Sequence, residues 1–535
     1  MAATKKKHWK LKDSIARETQ GFVASGFGSL KHGCALFLEL PDAGNGKWIA
    51  ALQTEFPVTP AFAVGGGAHV SQAVSIAFTW SGLQRLQMPK TALASFSAPF
   101  REGMFEENRM RRLGDKRKGE WQDTVIDATP RWSGNTQSHR SRKAVGAYSV
   151  EADTGPAAAE TDGTIGQAVH ALVLIYTEDE AGTRKAASEI GALLESHDVR
   201  VVHSLSLQLD EDDSRPGREH FGFADGISQP VPFDERDGIR LDGQAVKQAD
   251  MINGAPLGEF LMGHLNGHQE IAPGPVVPGQ VNGEADPRPY RAGLPEHPDA
   301  RSFYDIGRNG TYLVVRELRQ DVAAFWRSME EAAEVIRKAD PKATTVTAEW
   351  LAEKVVGRNR DGDVLRPQGR QPQGGDGRPD NDFLYFDDDR HGHGCPLGSH
   401  VRRANPRDSL APREGMKQSL LSAANNHRIL RRGRNYGPRI DRTDTDDGAD
   451  RGLLFMCLNT DIARQFEFIQ QTWLLNPDFS TLFEEVDPLV GPDGWMTIPQ
   501  DPLRRRIQVK TFVQLAGGEY FFLPSLPALR YLALL

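Results

Sequence analysis

Cysteine is scarce in this chain, which has Cys34, Cys395 and Cys457 as the only three among 535 residues. Three thiols cannot form a disulfide framework, so small disulfide-stapled folds are excluded and a reducing compartment is the simplest expectation. An excess of positive charge is also absent, since 64 Lys+Arg stand against 72 Asp+Glu and give a net charge of −8. Nucleic-acid binding needs a concentrated Lys/Arg surface, and we therefore do not expect nucleic acid as a partner.

Long hydrophobic runs are missing as well. The most apolar stretch, residues 520–535, is interrupted by Pro524, Pro527 and Arg530, whereas a membrane span needs roughly eighteen consecutive apolar residues. The basic start of the chain, MAATKKKHWKLK, is not followed by an apolar signal-peptide core. These absences predict a cytoplasmic protein without a membrane partner, in which residues 1–30 form a basic N-terminal tail.

The sequence also lacks the common catalytic fingerprints. It contains no GxxxxGK[ST], HExxH, GxSxG or CxxCH motif and no paired CxxC. P-loop enzymes, zincins, serine hydrolases, c-type cytochromes and zinc ribbons are thereby disfavoured.

What the chain does contain is an alternation of strand-like and helical segments that occurs twice. At roughly 150 residues per domain, the length predicts three or four domains, or two large ones with insertions. In the first half, apolar runs predict strands, and residues 47–53 and 187–194 have helical spacing. The predicted strands are Cys34–Leu40, Val74–Thr79, Ala168–Tyr176 and Val199–Leu209.

The second half repeats this order. Ile462, Phe466, Ile469 and Trp473 lie on one face of a predicted helix, and another helix is predicted around Phe325 and Trp326. The predicted strands are Glu259–Met262, Tyr312–Val315 and Leu453–Leu458, with a closing strand pair in Phe512–Leu523 that turns at Gly517-Gly518.

These patterns predict an α+β fold. It consists of two ferredoxin-like split βαβ halves, residues 31–210 and 211–535, packed sheet to sheet in a dimeric α+β barrel-like arrangement. Long loop insertions rich in Gly, Pro and charge are expected at residues 101–164, 267–300 and 357–394.

Three further segments carry chemistry-bearing side chains: HFGFADGISQP at 220–230, HGHGCPLGSHVRRANPRD at 391–408 and HRILRRGRNYGP at 427–438. Together with RGLLFMCLNTDIARQFEFIQQTW at 451–473, they resemble the signature of the dye-decolourising peroxidase family of haem enzymes. The resemblance extends over nearly the whole chain. It implies haem b (iron protoporphyrin IX) as the cofactor and the C-terminal half as the haem-binding half.

Asp225 lies between glycines in GFADG, where the backbone can approach a flat ligand closely. A turn aspartate that bonds its own backbone is the simpler interpretation of a lone Asp-Gly pair. The resemblance instead implies a distal acid-base residue that moves a proton between the two oxygens of peroxide. By the same resemblance, Arg431 is the distal arginine, whose cation stabilises charge on the leaving oxygen. Its neighbours Arg428, Arg432 and Arg434 leave that assignment open.

His400 matches the proximal ligand of the family, an imidazole bound axially to the haem iron. His391, His393 and the thiol of Cys395 are the alternatives. Asp461 either caps a helix N-terminus or, as the resemblance implies, accepts a hydrogen bond from the other ring nitrogen of His400.

The resemblance also implies further haem contacts. Gly226, Ile227 and Ser228 are expected at the haem edge. Asn405, Pro406 and Arg407 are expected to approach the haem, with Arg407 as a propionate partner. Tyr436, Trp473 and Tyr520 are either core residues or relays of oxidising equivalents.

The resulting prediction is a haem peroxidase that reduces hydrogen peroxide to water and oxidises bulky dyes, phenolic compounds or Mn(II). The alternative is a haem-binding or haem-handling (iron-release) protein with incidental peroxidase activity, since a fold does not fix a chemistry. The sequence does not identify the physiological electron donor, and it is compatible with a monomer or a homo-oligomer.

Overall fold

The computed structural model of the chain describes residues 11–65, 69–134, 167–210, 217–234, 239–240, 250–367, 381–440, 446–500 and 503–535. The N-terminal run of charge at residues 1–10 lies outside these ranges, and so do residues 135–164 of the predicted insertion at 101–164. Residues 13–18 and 21–24, within the predicted tail, form short helices, and Phe22 and Val23 are fully buried. No helix in the described part of the chain is long and apolar enough to cross a membrane.

One large sheet of eleven strands dominates the described residues. In chain order the strands are β1 (His32–Glu39), β2 (Gln72–Phe78), β3 (Trp132–Ser133), β4 (Gln167–Ala168), β5 (Ala171–Thr177), β6 (Arg200–Gln208), β7 (Thr311–Gln320), β8 (Leu430–Arg431), β9 (Arg434–Tyr436), β10 (Gly452–Asn459) and β11 (Val513–Leu523).

The strand order shows two halves of the same topology. β6-β1-β5-β2 forms the first half and β11-β7-β10-β9 forms the second, each with the fourth strand at the edge beside the first. Strand pairs β6–β9 and β2–β11 join the halves edge to edge and close the sheet into a ring. The predicted ferredoxin-like halves are confirmed, and they form a barrel-like sheet within one chain.

The helices of the two halves lie where the sequence pattern places them. Helices α1 (Lys47–Glu55) and α2 (Glu180–Glu195) belong to the first half, and α3 (Val322–Ala339) belongs to the second. The predicted helix at 462–473 is present as two π-helical segments, Ala463–Glu467 and Ile469–Leu474.

Shorter helices and hairpins decorate this frame. The remaining helices are Ala61–Gly65, Trp80–Arg85, Lys90–Ala94, Ala98–Glu102, Glu107–Leu113, Ile126–Ala128, Asp250–Asn253, Leu257–Glu259, Arg288–Ala292, Ala348–Val356, Tyr385–Asp388, His400–Ala404, Glu414–Met416, Lys417–Asn425 and Leu526–Ala533. The remaining strands are Lys116–Arg117, Glu120–Trp121, Val231–Asp234, Ile239–Arg240, Gly254–Pro256, Val276–Pro278, Gln280–Val281, Glu284–Ala285, Phe303–Asp305, Gly494–Gln500 and Leu503–Val509.

The core has two layers because successive residues of a strand face opposite sides of the sheet. Phe37, Leu174, Leu313, Met456 and Phe521, drawn from both halves, are fully buried in one hydrophobic cluster. Their sequence neighbours belong to a second cluster, in which the apolar sides of α1 and α2 also pack; these neighbours are Leu36, Val173, Val314, Cys457 and Phe522.

Two predicted strand features of the second half are wrong. Residues 257–259 form a short 3₁₀ helix instead of the predicted strand Glu259–Met262, and the Glu259 carboxylate accepts hydrogen bonds from Gly267 N and from Arg464. Residues 513–523 form one continuous strand and not a hairpin. Gly517 serves close packing there, because a Cβ at this position would lie 2.2 Å from Trp132 Nε1.

Candidate functional site

A single cavity gathers most of the side chains that the sequence motifs single out. Its walls come mainly from the second half and include Asp225, His400, Arg431, Phe455 and Trp473. Asp225 arrives on the loop before residue 231, His400 begins the helix His400–Ala404, and Arg431 ends β8. Besides Phe455 and Trp473, the apolar part of the wall consists of Leu113, Phe221, Phe223, Ala224, Ile227, Leu318, Val356, Val401, Ala404, Ile429, Leu453, Phe466, Ile469, Leu474, Leu489, Val490, Val513 and Leu515.

Asp225 and Arg431 form an ion pair in this cavity. Arg431 Nη1 donates to Asp225 Oδ1 at 2.5 Å, and the Gly226 amide donates to the same oxygen at 2.6 Å. Burial raises the pKa of Asp225, but the charge and hydrogen bond of Arg431 and the amide of Gly226 outweigh it, so the pKa lies below its usual value. Asp225 is therefore ionised at neutral pH and has a cation beside it.

Of the four neighbouring arginines, Arg431 is the one that contacts Asp225 among the described residues. Arg432 donates to Phe22 O and Val23 O, and Arg434 donates to Leu30 O and Phe27 O. These two arginines hold the buried N-terminal segment against the sheet. The proximity of Asp225 and Arg431 agrees with the pairing that the motif resemblance implies.

Gln229 fixes the backbone of Arg431, a role that sequence reasoning missed. Its Nε2 donates to Arg431 O and its Oε1 accepts from Arg431 N, both at 3.1 Å. Such a two-point contact resembles that of a neighbouring strand, and it ties the Asp225 loop to β8. Gln229 lies inside the motif HFGFADGISQP, but nothing in its spacing identifies its partner.

His400 is backed by a buried carboxylate. Its Nδ1 lies 2.9 Å from Asp487 Oδ2, while Asp487 Oδ1 accepts the amides of Leu489 and Val490. Burial lowers the pKa of His400, but the charge and hydrogen bond of Asp487 raise it above its usual value overall. With Nδ1 directed at Asp487, Nε2 is the ring nitrogen left to bind a ligand.

The role expected of Asp461 belongs to Asp487, and this is a correction. Asp461 has 42% of its side chain exposed and contacts Arg464, whose amide donates to Asp461 Oδ1 at 3.0 Å. This is the helix-capping alternative. Asp487 lies in a segment, EEVDPLVGPDG, without any feature that would mark it from sequence.

The alternatives to His400 lie elsewhere. The rings of His391 and His393 are 6.3 Å apart, and neither residue lines the cavity. Cys395 is fully buried, and its Sγ lies 3.8 Å from Tyr385 OH. The described part of the chain contains no group of three or more His, Cys, Asp or Glu side chains that could hold a bare metal ion.

The expected haem-contact residues separate into two groups. Ile227, Ser228 and Asn405 line the cavity, whereas Gly226, Pro406, Arg407 and Asp461 are not among the lining residues. Arg407 is buried against Phe383 and donates to Phe383 O and to Asn381 Oδ1, which uses its guanidinium for structure. Its role as a propionate partner stays a prediction, and these contacts do not support it.

Arg428 is a cation of the cavity wall with an unpaired donor. Its Nη1 is buried without a hydrogen-bond partner among the described residues, and its Nη2 lies 3.5 Å from Ser228 O. Burial, and then the charges of Arg407 and Arg431, lower the pKa of Arg428 to about 9. An anionic group would relieve both the unpaired donor and the charge repulsion.

The three aromatic residues considered as relays have different surroundings. Trp473 lines the cavity, Tyr436 is buried in the core, and Tyr520 OH donates to Glu467 Oε1 at 2.9 Å. Packing accounts for Tyr436. In addition to its packing contacts, Trp473 faces the cavity, and Tyr520 has a hydrogen bond to a carboxylate.

Comparison with known proteins finds relatives that are named as dye peroxidases. The chain is 30% identical over 414 residues to a multifunctional dye peroxidase of Amycolatopsis sp., which covers 72% of this chain and 75% of that protein. It is 27% identical over 412 residues to a dye-decolorizing peroxidase of Mycena epipterygia, with 69% of this chain and 67% of that protein covered. No family model matches the chain.

Solved structures share the fold. The DyP-type peroxidase of Anabaena sp. superposes with a TM-score of 0.67 at 23% identity and covers 99% of this chain and 100% of that one. A mutant of the dye-decolorizing peroxidase from Pleurotus ostreatus gives a TM-score of 0.68 at 20% identity, over 97% of this chain and 99% of that one. These likenesses support the two-half architecture described above.

Proposed function

Because this chain belongs to the dye-decolourising peroxidase family, we propose that it is a haem peroxidase that reduces hydrogen peroxide with electrons from dyes, phenolic compounds or Mn(II). The observation that supports this most directly is the composition of the cavity. It combines one carboxylate-backed histidine with an aspartate–arginine ion pair. A haem carrier has no need of that ion pair, and the peroxidase is therefore favoured over the carrier.

The residues present fit a haem group. The cavity wall is mainly apolar, His400 has one ring nitrogen that could bind iron, and Arg428 has an unpaired buried N–H that could bind a propionate. Bare metal chemistry has no comparable donor set in the described residues. His400 Nε2 would hold the haem, and the group would supply the iron chemistry by which peroxide is reduced.

The protein's own side chains then handle the proton and the charge. The Asp225 carboxylate takes a proton from one peroxide oxygen and returns it to the other, so that the second oxygen leaves as water. The Arg431 guanidinium stabilises the negative charge on the leaving oxygen. Two electrons from the donor and two protons complete the conversion of one H₂O₂ into two H₂O.

Substitution in the full-length, haem-reconstituted protein tests this assignment. Asp225→Asn and Arg431→Leu should keep the Soret band but lower peroxide-dependent dye oxidation by about 10²–10⁴-fold for the aspartate and 10²–10³-fold for the arginine. His400→Ala should lose the Soret band on gel filtration, while His391→Ala and His393→Ala serve as controls that retain it.

Two outcomes would contradict the proposal. Wild-type dye turnover in both Asp225→Asn and Arg431→Leu would refute the acid-base mechanism. A stable Soret band that does not respond to peroxide in the wild-type protein would favour the haem-handling alternative.

A further inference from the structure

Besides Asp225, the cavity wall carries the carboxylates of Asp115 and Glu219, and the proposed mechanism does not use Glu219. Its Oε1 accepts the amide of Phe223 at 2.9 Å. Its Oε2 accepts the amide of Phe221 at 2.8 Å and Gln320 Nε2 at 2.7 Å. One carboxylate thus receives three hydrogen bonds, two from the loop that follows it and one from the end of β7.

These bonds determine the shape of the loop that carries Asp225. The amide of Gly222 donates to Glu219 O, and the amide of Glu219 donates to Phe223 O, so residues 219–223 form a tight loop around their own carboxylate. Gly222 has a φ of +92°, which favours glycine. The amide of Asp225 then donates to Gly217 O at 2.8 Å, and this closes the loop immediately before the ion pair with Arg431.

Aromatic packing fixes the other side of the same loop. The ring of Phe221 lies 4.4 Å from that of Phe325, and the ring of Phe223 stacks on Trp326 at 6.3 Å. Phe325 and Trp326 belong to α3, while Gln320 ends the preceding strand. The loop is therefore held by packing on α3 and by the carboxylate of Glu219 at β7.

The charge of Asp225 also acts on Glu219. Burial, with a further contribution from Asp225, raises the pKa of Glu219 to about 7 against the lowering effect of its three hydrogen bonds. Burying a carboxylate costs free energy unless hydrogen bonds compensate for the water that it loses, and Glu219 has three such bonds. An apolar side chain would fill the same space but would leave the amides of Phe221 and Phe223 unpaired.

We propose that Glu219 is a positioning residue for Asp225, which holds residues 219–225 in the conformation that places the Asp225 carboxylate against Arg431. The proposal rests on the proposed function, because Asp225 must act on peroxide for its position to matter. Glu219 itself does not exchange a proton with substrate. Its effect passes through the backbone of the loop and the ion pair.

The test compares Glu219→Ala, Glu219→Gln and a matched control in the full-length protein. Glu106→Ala is the control, because Glu106 also accepts two backbone amides, those of Asn108 and Arg109, but does not line the cavity. Hydrogen exchange of residues 217–230 is measured first, without added haem. Glu219→Ala should speed exchange of the Phe221 and Phe223 amides at least tenfold, and Glu106→Ala should leave them unchanged.

Kinetics of the haem-reconstituted variants provide the second readout. Glu219→Ala should lower the bimolecular rate of reaction with peroxide at least tenfold, without changing the KM for the dye. Glu219→Gln keeps the side-chain length and one acceptor oxygen, so it should recover part of that rate. The proposal would be overturned if Glu219→Ala had the hydrogen exchange and the peroxide rate of the wild type. It would also be overturned if the variant lost haem and if its dye KM changed as much as its peroxide rate.

Asp225→Asn separates this failure from failure of the proposed function. If Asp225→Asn loses peroxide turnover while the Glu219 variants keep it, only the positioning role is wrong. If Asp225→Asn turns over at the wild-type rate, the acid-base mechanism itself is wrong. If Glu219→Ala does not fold, the same comparison is made with Glu219→Gln, which must then show faster exchange and a slower peroxide reaction than the wild type.

Discussion

A histidine ligand derives much of its strength from the group behind it, and behind His400, the ligand proposed above, lies the Asp487 carboxylate. Asp487 is fully buried, and three contacts satisfy it: His400 Nδ1 and the amides of Leu489 and Val490. The hydrogen bond fixes the tautomer and orientation of the ring and raises its basicity. Asp461, the partner that the family resemblance implies, instead caps a helix with a half-exposed side chain and accepts the amide of Arg464.

Asp487→Asn and Asp461→Asn therefore form a matched pair at the residue scale. Loss of the Asp487 carboxylate should weaken haem affinity or peroxide turnover by about 10–100-fold, as is typical when the partner of a ligating histidine is removed. Asp461→Asn should stay near the wild type, because asparagine is an equally good N-cap.

Haem titration followed by dye-oxidation kinetics measures both variants. Equal effects of the two substitutions, or a larger effect of Asp461→Asn, would contradict the assignment of Asp487 as the partner of His400.

Among the elements, β11 shows how glycine permits close packing in a strand. Gly517 pairs with Glu317 on β7 and with Trp132 on β3, and the register with β7 shifts just beyond this point. The Trp132 indole is fully buried, and its Nε1 donates to Glu317 Oε2 at 2.7 Å. The indole occupies the space that a side chain at position 517 would need.

Gly517→Ala should accordingly destabilise the protein by about 1–3 kcal/mol, the usual cost of overpacking. Gly191→Ala is the matched control, since Gly191 lies within α2 and a Cβ there has no neighbour within 4 Å. It should increase the free energy of unfolding by about 0.5–1 kcal/mol through helix propensity. Urea unfolding compares the two, and a stabilised or neutral Gly517→Ala would show that Trp132 moves aside at little cost.

The large sheet is closed, and each half contributes four strands to the ring. Leu207 pairs with Tyr436 and Phe78 pairs with Phe522 across the two joints. His203 Nε2, from the first half, lies 2.9 Å from the fully buried Glu317 of the second. Separating the halves would expose one shared hydrophobic cluster and leave the Glu317 carboxylate without this partner.

We therefore expect the two halves to unfold together. Urea transitions followed by tryptophan fluorescence and by far-ultraviolet circular dichroism should coincide, because the shared core couples the halves. A population with half of the native circular dichroism at intermediate urea would contradict this expectation and show that one half is stable alone.

Much of the architecture was predictable from the sequence because local patterns encode it. The short continuous apolar runs of β1, β5 and β10 are typical of strands buried on both faces, and the period-3.6 helices follow from which side of each helix is buried. The short strands β8 and β9 were not predicted, because the basic residues around Gly433 interrupt any apolar run there. The strand predicted at Glu259–Met262 is wrong because a short apolar run fits a buried 3₁₀ turn as well as a strand.

The sequence by itself determined the two-half fold and supplied the motifs that contain Asp225, His400 and Arg431, because strand and helix periods and short motifs are local properties of a chain. Tertiary structure alone decided which of these side chains meet. Arg431 and Asp225 are 206 residues apart in the chain, and His400 and Asp487 are 87 apart. Such pairings depend on how the elements pack, and that packing gave Asp487 the role expected of Asp461 and left Arg428, instead of Arg407, with an unpaired donor in the cavity.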